Sequence, residues 1–172
     1  MNKKRENNRE ALAEDSKLYA RFNEDLGLFV NLTMNGERVA SVTLTIDPPS
    51  IAYHEDHPYL TRVINHIASG NDGMRDIPLD LRVTSFEKEV LEQLRKVPPG
   101  DVVTYGEIAK RLGNPNASRA VGTACARNPV AIIVPCHRIV PKSGGVGNYT
   151  SEGGPKVKVL LLKREGAIGK IT

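Results

Sequence analysis

Hydrophobic and polar residues alternate from position 28 to position 46, which is the period of a strand with one buried face. Asn35-Gly36, a pair that is preferred in tight hairpin turns, interrupts the alternation, and Asp47-Pro48-Pro49 ends it. The pattern therefore predicts a β-hairpin. Its expected core-facing residues are Leu28, Val30, Leu32, Met34, Ala40, Val42, Leu44 and Ile46.

The segments on either side of the hairpin follow other patterns. Residues 1–24 are highly polar with few apolar positions, which predicts a partly frayed helix or an extension that docks weakly. After the hairpin, apolar residues at helical spacing predict one helix that ends near Gly70. These residues are Tyr59, Val63, Ile64 and Ile67.

A stretch rich in glycine, aspartate and proline at residues 70–80 predicts a linker between two units. We therefore expect a polar extension over residues 1–24, a small α/β domain and its linker over residues 25–83, and a second domain over residues 84–172. The expected fold class is α+β, with a hairpin sheet and a helix in the first domain and mainly helices in the second.

Two capping boxes, each a threonine with a glutamate three residues later, mark helix starts in the second half of the chain. Thr84-x-x-Glu87 opens a helix that Pro98-Pro99-Gly100 ends. Thr104-x-x-Glu107 opens a shorter helix that closes at Gly113.

A polar turn at residues 114–117 follows, and Ser118 is the expected N-cap of a further helix from Arg119 to about Arg127. The two helices predict a helix-turn-helix unit. The second of them has small side chains and no acids, so it can approach another backbone closely, and its terminal arginines can meet phosphates or bases. A tightly packed internal helix is the alternative interpretation.

Cys136 is the candidate nucleophile. It follows the apolar run 130–134, which predicts a buried strand, and lies in the hexapeptide Pro135-Cys136-His137-Arg138-Ile139-Val140. A thiol requires a neighbouring imidazole, cation or helix N-terminus to favour the thiolate, and His137 and Arg138 lie within two positions. The alternative is a buried, inert cysteine.

A loop with five glycines follows over residues 142–154, and its backbone amides can wrap a planar ligand. Pro155 suits the first position of a closing amphipathic helix that ends at Glu165-Gly166. The loop carries no dinucleotide or P-loop fingerprint, so no nucleotide cofactor is expected.

Composition narrows the class of protein. The 172 residues are 40% hydrophobic, which is enough for a packed core. No apolar stretch approaches the roughly 18 to 20 residues of a membrane span, and the N-terminus lacks the apolar core of a signal peptide, so we expect a cytoplasmic protein. Cys125 and Cys136 show no Cys-x-x-Cys spacing, and His54 and His57 lack further ligands, so neither a disulfide nor a metal site is expected.

Charge is distributed unevenly along the chain. Residues 1–83 carry 10 Lys/Arg against 13 Asp/Glu, whereas residues 84–172 carry 14 against 7. The second half, at +7, predicts a polyanionic partner such as nucleic acid, with a basic solvated surface as the alternative.

The motifs of the second half, taken together, resemble the O6-alkylguanine-DNA alkyltransferases over about residues 84–166. Their order and spacing match throughout. They are Thr104-Tyr105-Gly106-Glu107-Ile108-Ala109, Gly113-Asn114-Pro115, Arg119-Ala120-Val121-Gly122, Asn128-Pro129, Pro135-Cys136-His137-Arg138, Gly147-Asn148-Tyr149 and Glu165-Gly166.

This resemblance implies that Cys136 accepts an alkyl group from O6 of a guanine that is flipped out of duplex DNA, once per protein molecule. It also implies that His137 polarises the thiol through a bridging water and that Glu165 orients the imidazole. Asn128 would fix the turn before the active site, and Tyr105 would donate its hydroxyl to the departing guanine.

The remaining implied roles concern DNA and the base. Arg119 would fill the gap that the flipped base leaves. The DNA contacts are expected from Arg119, Tyr105, Ser118, Ala120, Thr123 and Arg127. The guanine pocket is expected from Val146, Tyr149, Thr150, Ser151 and Pro135. The chain lacks the cysteine and histidine set with which some relatives bind zinc, so a metal-free, cofactor-free monomer that acts on double-stranded DNA is expected.

Two other classes of function stay open at this point. One is a DNA-binding regulator or sensor of alkylated DNA with a redox-active or non-repairing cysteine, although Ala120, Gly122 and Ala124 are poorly suited to read bases. The other is a cysteine hydrolase or acyltransferase that uses Cys136 and His137 over many turnovers.

Overall fold

An antiparallel sheet begins the part of the chain that the computed structural model describes, residues 15–71 and 73–171. Its strands are β1 (Ser16–Asn23), β2 (Leu28–Asn35) and β3 (Arg38–Thr45), paired in the order β1-β2-β3. The predicted hairpin is confirmed as β2 and β3, joined by a tight turn in which Gly36 takes a positive φ of 56°.

The register of the hairpin differs from the prediction on β3. Thr33 pairs with Ser41 but Met34 pairs with Val39, so Ala40 is an extra residue in a β-bulge. Val39 is therefore fully buried where Ala40 was expected, while Val42 and Leu44 face the core as predicted. Ile46 lies past the end of β3 and is 65% exposed, so the prediction for Ala40 and Ile46 is wrong.

The prediction of a frayed helix or weakly docked extension is wrong for residues 16–23, which form strand β1. The whole strand pairs with β2, from Ser16 opposite Asn35 to Asn23 opposite Leu28. The backbone bonds to β2 stabilise this strand, and they depend little on the sparse apolar side chains that the sequence shows. Residues 1–14 lie outside the described residues.

Helix α1 (Pro58–Ser69) confirms the predicted helix after the hairpin. The His57 side chain accepts from the amide of Tyr59 as N-cap, and Gly70 ends the helix in the left-handed region at φ 71°. The helix packs on β1, on β2 and on the α-helix at Gly154–Arg164.

The second half contains α2 (Ser85–Arg95), α3 (Tyr105–Arg111), α4 (Ser118–Ala126) and α5 (Gly154–Arg164). Both predicted capping boxes are present, at the starts of α2 and α3. The predicted N-cap of α4 is wrong, because Ser118 is already the first helical residue and Ala117 precedes it without a side-chain cap.

The apolar run at residues 130–134 is buried but does not form the regular strand that was predicted. Val130 bridges to Val42, and Ala131 bridges to Val134 around a tight turn in which Ile132 takes a φ of 72°. Isolated bridges replace a ladder because this turn reverses the chain after two residues. The turn carries the chain directly into the site at residue 136.

One apolar core joins the sheet to the helices. Buried side chains of β2, β3, α1, α2, α4 and α5 belong to the same cluster. The two-residue strands β4 (Val103–Thr104) and β5 (Ile139–Val140) pair in parallel. Since α3 begins directly after β4, this pairing holds the start of α3 next to the segment that follows residue 136. None of the helices in the described residues has the length and apolarity that crossing a membrane requires.

Candidate active site

Cys136 begins a short 3₁₀ helix over Cys136–Arg138 that leads directly into β5. Its side chain is 7% exposed, and the two residues after it are buried as well. The compact turn at residues 130–134 and the core beneath it thus place one thiol just under the protein surface.

Asn128 holds this turn together and contacts the sulfur. Its Nδ2 donates to the carbonyl of Val134 at 3.0 Å and to Cys136 Sγ at 3.1 Å, and its Oδ1 accepts from the amide of Val130 at 3.0 Å. The same side chain therefore shapes the backbone and supplies a donor that favours a negative charge on sulfur.

Burial raises the pKa of the Cys136 thiol, and three interactions oppose it. They are the hydrogen bond from Asn128, the positive charge of Lys158 and a backbone hydrogen bond at Cys136 itself. The sequence prediction assigned this effect to His137 and Arg138, but Arg138 is engaged by Glu165 and by the carbonyl of Val97. Burial also raises the pKa of Cys125, to about 12, which keeps that second thiol protonated.

Glu165, the C-cap of α5, meets His137 and Arg138 in a fully buried cluster. His137 Nε2 lies 2.7 Å from Oε1, while Arg138 donates to Oε1 at 2.8 Å and to Oε2 at 3.0 Å. Burial raises the pKa of Glu165, but the hydrogen bonds from His137, His66 and Arg138 outweigh it and hold the pKa well below its usual value. The carboxylate is therefore ionised and acts only as an acceptor.

An ionised acceptor requires that His137 carry its proton on Nε2. The other nitrogen, Nδ1, is buried and has no hydrogen-bond partner within the described part of the chain. Burial lowers the pKa of His137, and Arg138 and His66 lower it further, while Glu165 opposes them. The ring is thus held neutral, with a free lone pair available to accept a proton.

The exposed face of α4 carries the predicted DNA-contacting residues Arg119, Ala120, Thr123 and Arg127, and Ser118 is partly exposed at its start. The opposite face packs into the core through Val121, Ala124 and Cys125. Arg127 is not free, because it donates to Glu87 at 3.1 Å.

Tyr105 opens α3 and is half-buried against α4. A Cβ atom at Gly122 would lie 3.7 Å from its ring, an ordinary van der Waals distance, so the Tyr105 ring lies against the α4 backbone at this position. The structure therefore brings Tyr105 beside α4 but reports no hydrogen bond to its hydroxyl among the described residues.

Four of the predicted pocket residues lie on the loop between β5 and α5, and the fifth, Pro135, lies directly before Cys136. Tyr149 and Pro135 are buried, Val146 and Ser151 are partly exposed, and Thr150 is exposed. The hydroxyl oxygens of Tyr149 and Ser151 are both buried and make no hydrogen bond of normal length in residues 15–71 and 73–171, although they lie near enough to each other that Ser151 opposes the rise that burial causes in the pKa of Tyr149. Buried, unpaired hydroxyls are uncommon and suit a site that binds a polar ligand.

Comparison with known proteins matches this chain to one family. The family model described as "6-O-methylguanine DNA methyltransferase, DNA binding domain" covers residues 85–167. A methylated-DNA--protein-cysteine methyltransferase of Methanosarcina mazei is 44% identical over 114 residues, which are 64% of this chain and 71% of that protein. The chain belongs to the methylated-DNA--protein-cysteine methyltransferase family.

Other members are similar over different shares of their length. The methyltransferase of Methanosarcina acetivorans is 51% identical over 92 residues, and the match spans only 58% of that protein. The crystal structure of Mycobacterium tuberculosis O6-methylguanine methyltransferase has a TM-score of 0.73 and 32% identity, over 88% of this chain and 93% of that one. A structure of the same M. tuberculosis protein in complex with DNA also has a TM-score of 0.73, at 31% identity.

Sequence reasoning missed two buried residues of this candidate site. His66 of α1 lies 2.8 Å from Glu165 Oε1, and Lys158 of α5 donates to the carbonyls of Ile139 at 2.7 Å and Asn148 at 3.2 Å. His66 follows Val63 by three positions, so helical spacing places it on the buried face of α1. Lys158 carried no such signal, because a lysine between apolar residues usually reaches solvent.

The ligand atoms of His66, His137 and Glu165 lie within 4.8 Å of one another. Arg138, however, donates to both oxygens of the carboxylate from inside the same cluster. A guanidinium in this position repels a metal cation, so the arrangement favours a hydrogen-bonded ion pair over a metal centre.

Proposed function

We propose that this protein repairs DNA by transferring an alkyl group from O6-alkylguanine in duplex DNA to Cys136, once per molecule. The observation that carries the proposal is the single buried thiol beside a neutral imidazole whose Nε2 is fixed by an ionised carboxylate. Membership of the methylated-DNA--protein-cysteine methyltransferase family supports the same chemistry.

The reaction is one displacement at a saturated carbon. The sulfur of Cys136 forms a bond to the alkyl carbon, the bond from that carbon to O6 breaks, and its electron pair stays on the guanine. Over the whole reaction the thiol loses one proton, which His137 accepts first, and the guanine gains one proton, so charge and atoms balance. The thioether product has no carbonyl that water could attack, and nothing in the site regenerates the thiol.

His137 is the proposed base. Adjacent side chains on a 3₁₀ helix rarely face each other, so Nδ1 of His137 would receive the proton of Cys136 through a bridging water. Glu165 keeps Nε2 protonated and stabilises the imidazolium that forms. Asn128 stabilises the thiolate, and the Tyr105 hydroxyl is the proposed donor to the departing guanine.

DNA is the proposed partner, bound by α3 and α4 as a helix-turn-helix unit. The exposed face of α4 has small side chains and no acids, which suits close contact with a phosphate backbone at low sequence preference. Arg119 projects from the exposed face and is the proposed substitute for the flipped base in the stack. The DNA complex of the M. tuberculosis protein supports this assignment.

The proposed guanine pocket is formed by the loop between β5 and α5, with Val146, Tyr149, Thr150, Ser151 and Pro135. The two buried hydroxyls without partners support a polar ligand at this place. We further propose a metal-free monomer in the cytoplasm, and a division of the chain near residue 83 into a supporting and a catalytic domain.

The test is intact mass spectrometry after the protein is mixed with a duplex that contains one O6-methylguanine. The expected result is a gain of one methyl group on Cys136, stoichiometric with the base repaired, and no gain for Cys136→Ala, which should still bind the duplex. Loss of the lesion without a modified Cys136, or repeated turnover, would refute the proposal.

A further inference from the structure

His66 of α1 shares the acceptor of the candidate base. Its Nε2 lies 2.8 Å from Glu165 Oε1, and His137 Nε2 lies 2.7 Å from the same oxygen. All three side chains are fully buried. His66 and Glu165 are 99 residues apart in the chain, so this contact joins the first half of the protein to the candidate active site.

The backbone around this contact leaves little room for movement. Gly70, the C-cap of α1, lies so close to α5 that a Cβ atom there would be 2.7 Å from the amide nitrogen of Glu165. Its φ of 71° also favours glycine. The end of α1 is therefore seated directly on the backbone of the residue whose side chain His66 contacts.

We propose that His66 is a positioning residue for alkyl transfer, which holds the Glu165 carboxylate in the orientation that fixes the His137 ring. The inference rests on the proposed function for its consequence in catalysis. Its structural half, a hydrogen bond from His66 to the carboxylate that controls His137, stands on the geometry alone.

Three donors converge on Glu165 Oε1, namely His66, His137 and one nitrogen of Arg138, whereas among the described residues Oε2 accepts from Arg138 alone. Each donor neutralises part of the negative charge on the carboxylate. Without His66, more of this charge faces His137 and stabilises its protonated form. A protonated His137 cannot accept the proton of Cys136, so transfer near neutral pH becomes slower.

The protonation of the two nitrogens of the His66 ring agrees with this role. Since an ionised carboxylate only accepts, His66 carries a proton on Nε2, and its Nδ1 is buried without a partner in the described residues. The titratable groups packed around it are Glu165, His137 and, through the same carboxylate, Arg138.

The experiment compares His66→Gln with His66→Asn. The two amides have the same polarity, but the glutamine nitrogen reaches the place of Nε2 and the asparagine nitrogen is one methylene short. Val63→Ala, a buried change on the same helix whose side chain cannot hydrogen-bond to Glu165, is the control for loss of stability. The measurements are the ¹⁵N-detected titration of the His137 ring without DNA, and the single-turnover rate of methyl transfer as a function of pH.

For His66→Asn we expect the His137 midpoint to rise by on the order of one pH unit. The transfer rate should fall about tenfold at pH values below both midpoints and by less near neutral pH, because the acid limb of the pH profile is displaced upward. His66→Gln should restore both quantities, and Val63→Ala should change neither. If the glutamine and asparagine variants behave alike, or if neither moves the midpoint, the proposal is overturned.

The unmodified protein supplies a further check that needs no variant. Its ¹⁵N spectrum should show His66 and His137 both protonated on Nε2, and a proton on Nδ1 of His66 would overturn the proposal. If the unmodified protein fails to methylate Cys136 while the His137 midpoint still responds to His66, the proposed function fails and the hydrogen-bond role of His66 survives.

Discussion

The side-chain amide of Asn128 donates to the sulfur of Cys136 across 3.1 Å. The same nitrogen also donates to the carbonyl of Val134 at 3.0 Å. The Asn128 side chain thus both holds the turn in shape and stabilises a negative charge on the sulfur of Cys136. This double role makes Asn128 the most direct point at which to test how the site activates its thiol.

Asn128→Ala should slow the reaction of Cys136 with free O6-benzylguanine about tenfold or more, because a donor to a charged group contributes roughly 1.5 to 3 kcal/mol. It should also lower the free energy of unfolding by about 1 to 3 kcal/mol, since the groups of Val130 and Val134 lose their partner. The measurements are the pH dependence of the alkylation rate and urea denaturation. Asn116→Ala, in an exposed turn, is the control; an equal rate in both variants would contradict the assignment.

Lys158→Met tests the buried ammonium beside the thiol. Burial lowers the pKa of Lys158 from 10.5 to about 8, so between these values the unfolded chain binds more protons there than the folded chain. The free energy of unfolding contributed by Lys158 therefore rises with pH across this window, by about 3 kcal/mol. Below about pH 8 Lys158 is charged in both the folded and the unfolded chain, so its destabilising effect on the folded protein no longer changes with pH.

The measurement is the difference in unfolding free energy between the unchanged protein and Lys158→Met from pH 7 to pH 11. That difference should increase with pH, whereas Lys156→Met, at an exposed position of α5, should give a flat difference. A flat difference for Lys158→Met would show that the lysine is not held in a desolvated site. We also expect slower alkylation of Cys136 in this variant, because a positive charge that favours the thiolate is lost.

Arg119→Ala should slow repair of O6-alkylguanine in duplex DNA more than reaction with free O6-benzylguanine. The reason is that extruding a base costs a few kcal/mol, which an inserted side chain helps to recover, whereas the free base needs no extrusion. The measurement is the single-turnover rate on each substrate, from which the slowing on duplex DNA is divided by the slowing on the free base. Lys17→Ala, an exposed cation on β1, controls for the loss of one positive charge. Equal slowing on both substrates would argue against insertion of Arg119.

Acid should destabilise the protein in two stages. The folded-state pKa of His137 lies below the ordinary histidine value of 6.5, so its contribution to stability is complete above about pH 6.5 and declines as the pH falls. The folded-state pKa of Glu165 lies far below 4.5, so its contribution is complete above about pH 4.5 and declines as the pH falls further. Urea denaturation from pH 3 to pH 8 measures both stages.

Glu165→Gln should reduce the stage below pH 4.5, to which Asp76, Glu87 and Glu107 also contribute because their folded-state pKa values are lowered. It should also lower the unfolding free energy at neutral pH by about 3 to 5 kcal/mol, because the buried Arg138 loses its counter-ion. Glu92→Gln, at an exposed position of α2, should leave the acid dependence unchanged. An unchanged profile for Glu165→Gln would mean that the carboxylate is not ionised in the folded protein.

The helices were predictable because their signals are local. The capping boxes at Thr84 and Thr104 lie within one turn of the helix that each begins, and Gly70 ends α1 by its own backbone preference. Strand β1 and the bulge at Ala40 were not predictable in this way. Each depends on which residue of a neighbouring strand lies opposite, and pairing partners leave little trace in the strand itself.

The sequence by itself determined where α2 and α3 start and where α1 ends, which thiol stands beside a histidine, and to which family the order of motifs points. Only the tertiary structure decided which groups act on that thiol and on Glu165. Lys158 comes from 22 positions later in the chain, and His66 from a helix 99 residues before the carboxylate. A buried charge is stabilised by whatever the fold packs against it, and that depends on distances in space, which neighbouring residues in the sequence do not encode.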